Sequence, residues 1–206
     1  MNTCSRKYTP QELEQLHKAL YEILGEIVRI CEKHQIPFFV IGGTAIGALY
    51  DKAILPWDDD IGMKREDYNR FLKVAPQELD SRYFLSWIET DPHTPYYFAK
   101  VKKNHTLFVE GLFKNVPMHQ GIFVDIFPFD RIPDNRRLMK VQHELVKFLN
   151  CCLIGKEAWL WKHCRPCEIE NPTNRGFMGC LANYLIDVLL PKKTIFRLLT
   201  GAQTFF

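Results

Sequence analysis

Leu13, Leu16, Leu20, Ile23, Leu24, Ile27 and Cys31 recur at three- and four-residue intervals, the spacing of one apolar helix face. Ahead of them, Thr9-Pro10-Gln11-Glu12 reads as a capping box, with Thr9 as N-cap, Pro10 as first helical residue and Glu12 reaching back. The pattern predicts an amphipathic helix to about His34, stopped by Pro37. The period then changes. "PFFVIGG" predicts a short buried strand entering a glycine pair, and "TAIGALYD" a helix of about two turns. The acidic stretch from Asp58 to Met63 has the length of a second short strand, and "REDYNRFLKVAP" predicts a helix ended by Pro76.

"RYFLSWIE", "YYFAKVKK", "TLFVE" and "GIFVDIF" are further strand candidates, rich in aromatic and β-branched residues. From Asp134 the pattern turns helical, through "DNRRLMKVQHELVKFLNCC", "GCLANYLIDVLL" and "KKTIFRLLTG". The order predicts a mixed α/β (α+β) fold, with a core over residues 1–133 and a helical part over 134–206 belonging to the same globule.

Composition narrows the function classes. A chain of 206 residues with 47% apolar and 25% charged side chains can bury a real core. A net charge of +3 gives no case for nucleic-acid binding. Its N-terminus has no apolar signal-like run, and seven cysteines suggest reduced thiols in a cytoplasmic setting. "HCRPC" puts His163, Cys164 and Cys167 at metal-ligand spacing, but one such pair is weak evidence for zinc. The last helix sets Lys192, Lys193 and Arg197 beside Ile195, Phe196, Leu198 and Leu199. That suits a membrane surface or a partner interface equally.

Three features carry chemistry. Gly42 and Gly43 before Thr44, between a strand and a helix, can bring backbone N–H groups close to a phosphate. Asp58 and Asp60, two apart on a strand, share a face and can grip one hard cation, while Asp59 points away. Asp125 lies inside an apolar strand and needs either a cation or a basic partner.

That layout resembles the nucleotidyltransferase superfamily that includes DNA polymerase β. More narrowly, "GGTAIGALYDKAILPWDDDIGMKREDYNRFL" with "GIFVDIFPFD" resembles the LicD family, to which fukutin and fukutin-related protein belong. The resemblance implies a polymerase β-like mixed sheet and transfer of a phospho-alcohol group, such as phosphocholine, from a CDP-linked donor to a glycan or lipid-linked glycan hydroxyl. It implies Mg²⁺ or Mn²⁺ held by Asp58, Asp60 and Asp125, with phosphate contacts from Gly42, Gly43, Thr44 and Lys100 in "FAKVKK"; the alternative for Lys100 is a lysine on the strand's wet face. The expected location is cytoplasmic, with peripheral contact at the inner face of the membrane.

The sequence departs from the family pattern in three places. "DDDIGM" is two residues short and lacks the carboxylate expected two after Asp60. Either Asp58 and Asp60 supply the pair alone, or the strand is shortened and metal affinity suffers. Tyr50 stands where a basic residue is usual, and the family's C-terminal block is not found. These departures keep a second expectation open: a truncated, non-catalytic relative that binds nucleotide or assists glycan assembly.

Overall fold

A computed structural model describes residues 8–50, 60–160 and 189–205. Two compact units divide the chain. One comprises Met1–Leu85, Lys100–Phe108 and Gln120–Phe129; the other comprises Ser86–Ala99, Val109–His119 and Asp130–Phe206.

In the first unit, α1 (Pro10–Lys33) begins on the expected cap: the Thr9 hydroxyl accepts from the Glu12 N–H, and the Glu12 carboxylate accepts from the Thr9 N–H. It ends where Gln35 turns left-handed (φ 51°), which lets the Ile36 N–H reach the Cys31 carbonyl at 2.8 Å. β1 (Phe39–Val40) and α2 (Gly42–Tyr50) follow, then β2 (Asp60–Lys64) and α3 (Arg65–Glu78). β3 (Tyr83–Ser86), β4 (Ala99–Lys103) and β5 (Phe123–Phe129) complete a five-stranded mixed sheet of order β1-β2-β5-β4-β3. β1 runs antiparallel to β2, and β2 parallel to β5. Ile61, Met63, Val101, Val124 and Ile126 are buried, and α1 and α3 pack on β5, α3 also on β2. The alternate residues of those strands form the opposite face, where the candidate site lies.

Charged contacts bind α1 to the end of α3. The Glu78 carboxylate takes the Lys33 ammonium at 2.8 Å and the His34 ring at 3.1 Å. Glu22 pairs with Lys103 on β4.

The second unit is built on α4 (Arg136–Leu160) and α5 (Lys192–Thr204). Ile88, Leu149, Cys152, Leu153, Ile195 and Leu199 form its core. Glu157, buried, accepts from the Lys192 ammonium at 2.6 Å, and that ammonium also donates to the Pro92 carbonyl at 2.6 Å.

Several expectations change. "TLFVE" is not a strand: the Thr106 hydroxyl accepts from the Ile122 N–H at 3.0 Å and donates to the Lys103 carbonyl at 2.7 Å. Residues after it enter a 3₁₀ turn at Gly111–Phe113. A β-rich composition is overridden there by side-chain hydrogen bonding to the backbone. Pro76 does not end α3, which runs on to Glu78. A proline in the last turn forfeits one bond to the carbonyl four residues back and keeps helical φ. "RYFLSWIE" is extended only to Ser86, because Trp87–Asp91 closes a turn with the Asp91 N–H on the Trp87 carbonyl at 2.8 Å. His163, Cys164, Cys167 and nearly all of "GCLANYLIDVLL" lie outside the described residues.

Candidate active site

Parallel pairing of β2 with β5 sets Asp60 opposite Asp125 in register. In-register residues on neighbouring strands point to the same face, so two carboxylates 65 positions apart in sequence become neighbours. Asp60 is half-buried, and the Asp125 side chain is 14% exposed. Asp58 lies outside the described residues.

Lys100 on β4 reaches across to Asp125. Its Nζ lies 2.9 Å from Asp125 Oδ1 and 3.2 Å from Oδ2. It also sits 3.5 Å from the centroid of the Phe123 ring, a cation–π contact. The lysine is 1% exposed, so the wet-face alternative does not hold. The basic partner weighed for Asp125 is present, and it is Lys100. Lys102, two residues on and so on the same face, is also buried to 1%. Lys102 is not among the residues expected at the site, because only the sheet order sets β4 beside β5.

The glycine turn lies against Asp60. Gly42 takes φ 56°, a left-handed conformation that favours glycine. It starts α2 at once, with the Ala45 N–H on the Ile41 carbonyl at 3.1 Å. Gly43 and Thr44 are buried in its first turn. The Thr44 hydroxyl accepts from the Asp60 N–H at 2.7 Å, and the Ile41 N–H donates to the Asp60 carbonyl at 3.1 Å. The turn thus clamps the Asp60 backbone from both sides. Thr44, expected as a phosphate contact, bonds the Asp60 backbone through its hydroxyl.

Farther along the same face, Phe39 pairs with Gly62, and Phe129 with Lys64. The Phe39 and Phe129 rings meet edge to face, centroids 4.9 Å apart and planes at 75°. A β-carbon at Gly62 would come within 2.5 Å of the Phe39 ring and 2.7 Å of Phe129. These aromatics were not among the expected site residues.

Residues 35–149 match the family described as LicD/FKTN/FKRP, nucleotidyltransferase domain. The chain belongs to the LicD family. Among its LicD-type relatives, the lipopolysaccharide cholinephosphotransferase LicD of Haemophilus influenzae is 30% identical over 174 residues, which are 80% of this chain and 60% of that protein. An uncharacterised protein of Rickettsia typhi is 33% identical over 61 residues, 29% of this chain and 20% of its own. One of Rickettsia prowazekii is 30% identical over 71 residues, 34% of this chain and 27% of its own. No solved structure matches.

For a divalent cation, the donor chemistry of this LicD-family face fits. Carboxylate oxygens suit Mg²⁺ or Mn²⁺, and Asp60 and Asp125 occupy adjacent register positions. Among the described residues there is no group of three or more His, Cys, Asp or Glu that could hold a metal. Asp58, the third ligand expected, lies outside those residues.

Proposed function

We propose that this LicD-family chain transfers a phosphocholine-like group from a CDP-activated donor to a glycan hydroxyl. The observation that supports it most is the in-register pair of Asp60 and Asp125, with the clamped glycine turn on one side and buried Lys100 on the other. The cholinephosphotransferase activity in the name of the Haemophilus influenzae relative indicates the group. The chain spans about 60% of that relative's length.

In this reading Asp58, Asp60 and Asp125 would hold Mg²⁺ or Mn²⁺, which when bound supplies charge neutralisation at the donor diphosphate and the departing CMP. Gly42 and Gly43 bring backbone close to the donor phosphates. Thr44 keeps Asp60 in place, and the Lys100 ammonium offsets negative charge beside Asp125. The acceptor hydroxyl oxygen attacks the phosphorus that carries the alcohol. A new P–O bond forms, the P–O bond to CMP breaks, and Asp125 orients the hydroxyl or takes its proton.

The competing reading is a nucleotide-binding relative without turnover, and the Lys100–Asp125 ion pair favours it, because that pair also satisfies Asp125 structurally. The two separate on CDP-choline titration with and without Mn²⁺. Catalysis requires tighter donor binding with Mn²⁺, loss of that gain in Asp58→Ala and Asp60→Ala, and release of CMP with a glycan acceptor. Unchanged affinity in all three comparisons removes the catalytic reading.

The peripheral membrane contact is proposed at α4 and α5, within the second unit. An apolar groove of about 610 Å³ there is lined by Leu138, Val141, Leu145, Leu198 and Phe205. Exposed Arg136, Arg137, Lys140, Lys147, Lys193 and Arg197 belong to the same two helices. Exposed apolar side chains with surrounding cations suit the headgroup region of an anionic bilayer. Among the described residues no helix is long and apolar enough to cross one.

A further inference from the structure

We infer that Phe39 and Phe129 form a subsite for the quaternary ammonium of the donor alcohol; the inference rests on the donor reading above. Three observations lead to it. First, the two rings lie on the acid-bearing face: Phe39, the register partner of Gly62, is one side-chain repeat beyond Asp60, and Phe129, the partner of Lys64, is two beyond Asp125, its ring reaching back over Gly62. Two residues of strand span roughly 7 Å. The ester oxygen and two methylenes of phosphocholine carry its nitrogen part of that way, and the rings, which reach back over Gly62, meet it. A phosphate at the acid pair would thus set its alcohol head at the rings.

Second, the rings remain accessible. Phe39 is 41% exposed and Phe129 44%. The two meet edge to face at 75°, a common aromatic packing, and together form a corner. A methylated cation seats against aromatic faces arranged in that way, attracted by their negative quadrupoles.

Third, Gly62 is what allows the corner. A side chain there would displace both rings, since even a β-carbon falls inside contact distance of each. The absence of a side chain at Gly62 is also why the rings settle close to the level of the strand rather than being held above it. Lys64, the next residue on the face, is exposed, so solvent screens its charge. A nucleobase could stack on one such ring, but two rings in a corner offer no parallel slot, and the geometry favours a compact cation.

The test compares three probes on the full chain with Mn²⁺: CDP-choline, its neutral isostere with a tert-butyl carbon in place of the nitrogen, and CMP. The wild type should bind CDP-choline roughly 2- to 30-fold more tightly than the isostere, the range of one to two cation–π contacts. Phe39→Leu and Phe129→Leu, which keep apolar bulk, should erase most of that preference and leave CMP affinity unchanged. Gly62→Ala should do the same by moving the rings. CMP binding without any preference for the cation, or a preference that survives both leucine variants, overturns the subsite alone. Failure of every cytidine probe to bind overturns the donor reading, and the subsite falls with it.

Discussion

A single side chain often holds two jobs at this face, and Asp125 shows it best. It is the candidate proton acceptor and also the counter-charge of buried Lys100. Asp125→Asn should abolish transfer and also lower the urea midpoint, because a buried ammonium loses its partner at a cost of about 3 kcal/mol. The double variant Asp125→Asn/Lys100→Met should recover most of the stability and none of the activity. If it recovers neither, the ion pair is not what stability rests on. Thr44→Val isolates positioning in the same way. It removes the acceptor for the Asp60 N–H at a cost of about 1–2 kcal/mol, and transfer should fall while CMP affinity changes little. Cys31 gives a contrasting case, in which burial is the main influence. Its thiol is pushed up to about 12, chiefly by desolvation, so iodoacetamide at pH 8 should leave Cys31 unlabelled until the chain unfolds, as peptide mapping would show.

Elements are held in register by a few charged contacts whose strength depends on pH. Glu26 on α1 accepts from Arg29 at 2.8 and 2.9 Å and from the Asp80 N–H at 2.9 Å. The Arg29 guanidinium, followed by the Asp80 N–H, holds its carboxyl below the ordinary 4.5 despite burial. A carboxyl lowered in the folded state binds fewer protons there than in the unfolded chain. Its contribution is therefore complete above pH 4.5 and is lost as pH falls through the lower folded value. Glu26→Gln should flatten that part of the acid-denaturation curve and leave the pH 6–8 region level; an unchanged acid limb would refute the assignment. At the other end of the chain, Val141→Glu and Leu198→Glu should weaken co-sedimentation with vesicles containing anionic lipid. Neutral vesicles should bind little of any variant, and capture that ignores both substitutions and lipid charge would exclude α4 and α5 as the contact.

For the molecule as a whole, the family match spans residues 35–149, which include every described acid and base of the proposed site. Mn²⁺ should raise the melting temperature of the wild type, since a ligand that binds only the folded state stabilises it. Asp60→Asn and Asp125→Asn should lose that increase. Segments 86–99 and 109–119 belong to the same compact unit as α4 and α5, while the strands between and after them belong to the other. A linear pattern of strands followed by helices does not reveal that interleaving, because which loops join a distant core depends on contacts far apart in sequence.

Much was legible from local chemistry. The Thr9–Glu12 cap, the period of α1, the glycine turn and the acid inside "GIFVDIF" each depend on residues within a few positions of one another, and those interactions are written in sequence order. The resemblance carried by "PWDDD", "REDY" and "VDIFPFD" pointed to the family to which the chain belongs. Strand length was less legible, since "TLFVE" has strand composition but forms no strand: the Thr106 hydroxyl bonds the Lys103 carbonyl and the Ile122 N–H, and the Phe108 N–H the Gln120 carbonyl. Only the tertiary structure decided which face each strand presents and who stands opposite whom. The β2–β5 register placed Asp60 beside Asp125, the neighbouring β4 delivered Lys100 to the same carboxylate, and β1 brought Phe39 over Gly62. Pairing partners are chosen by burying one whole face of the sheet at once, a collective property that no single segment contains.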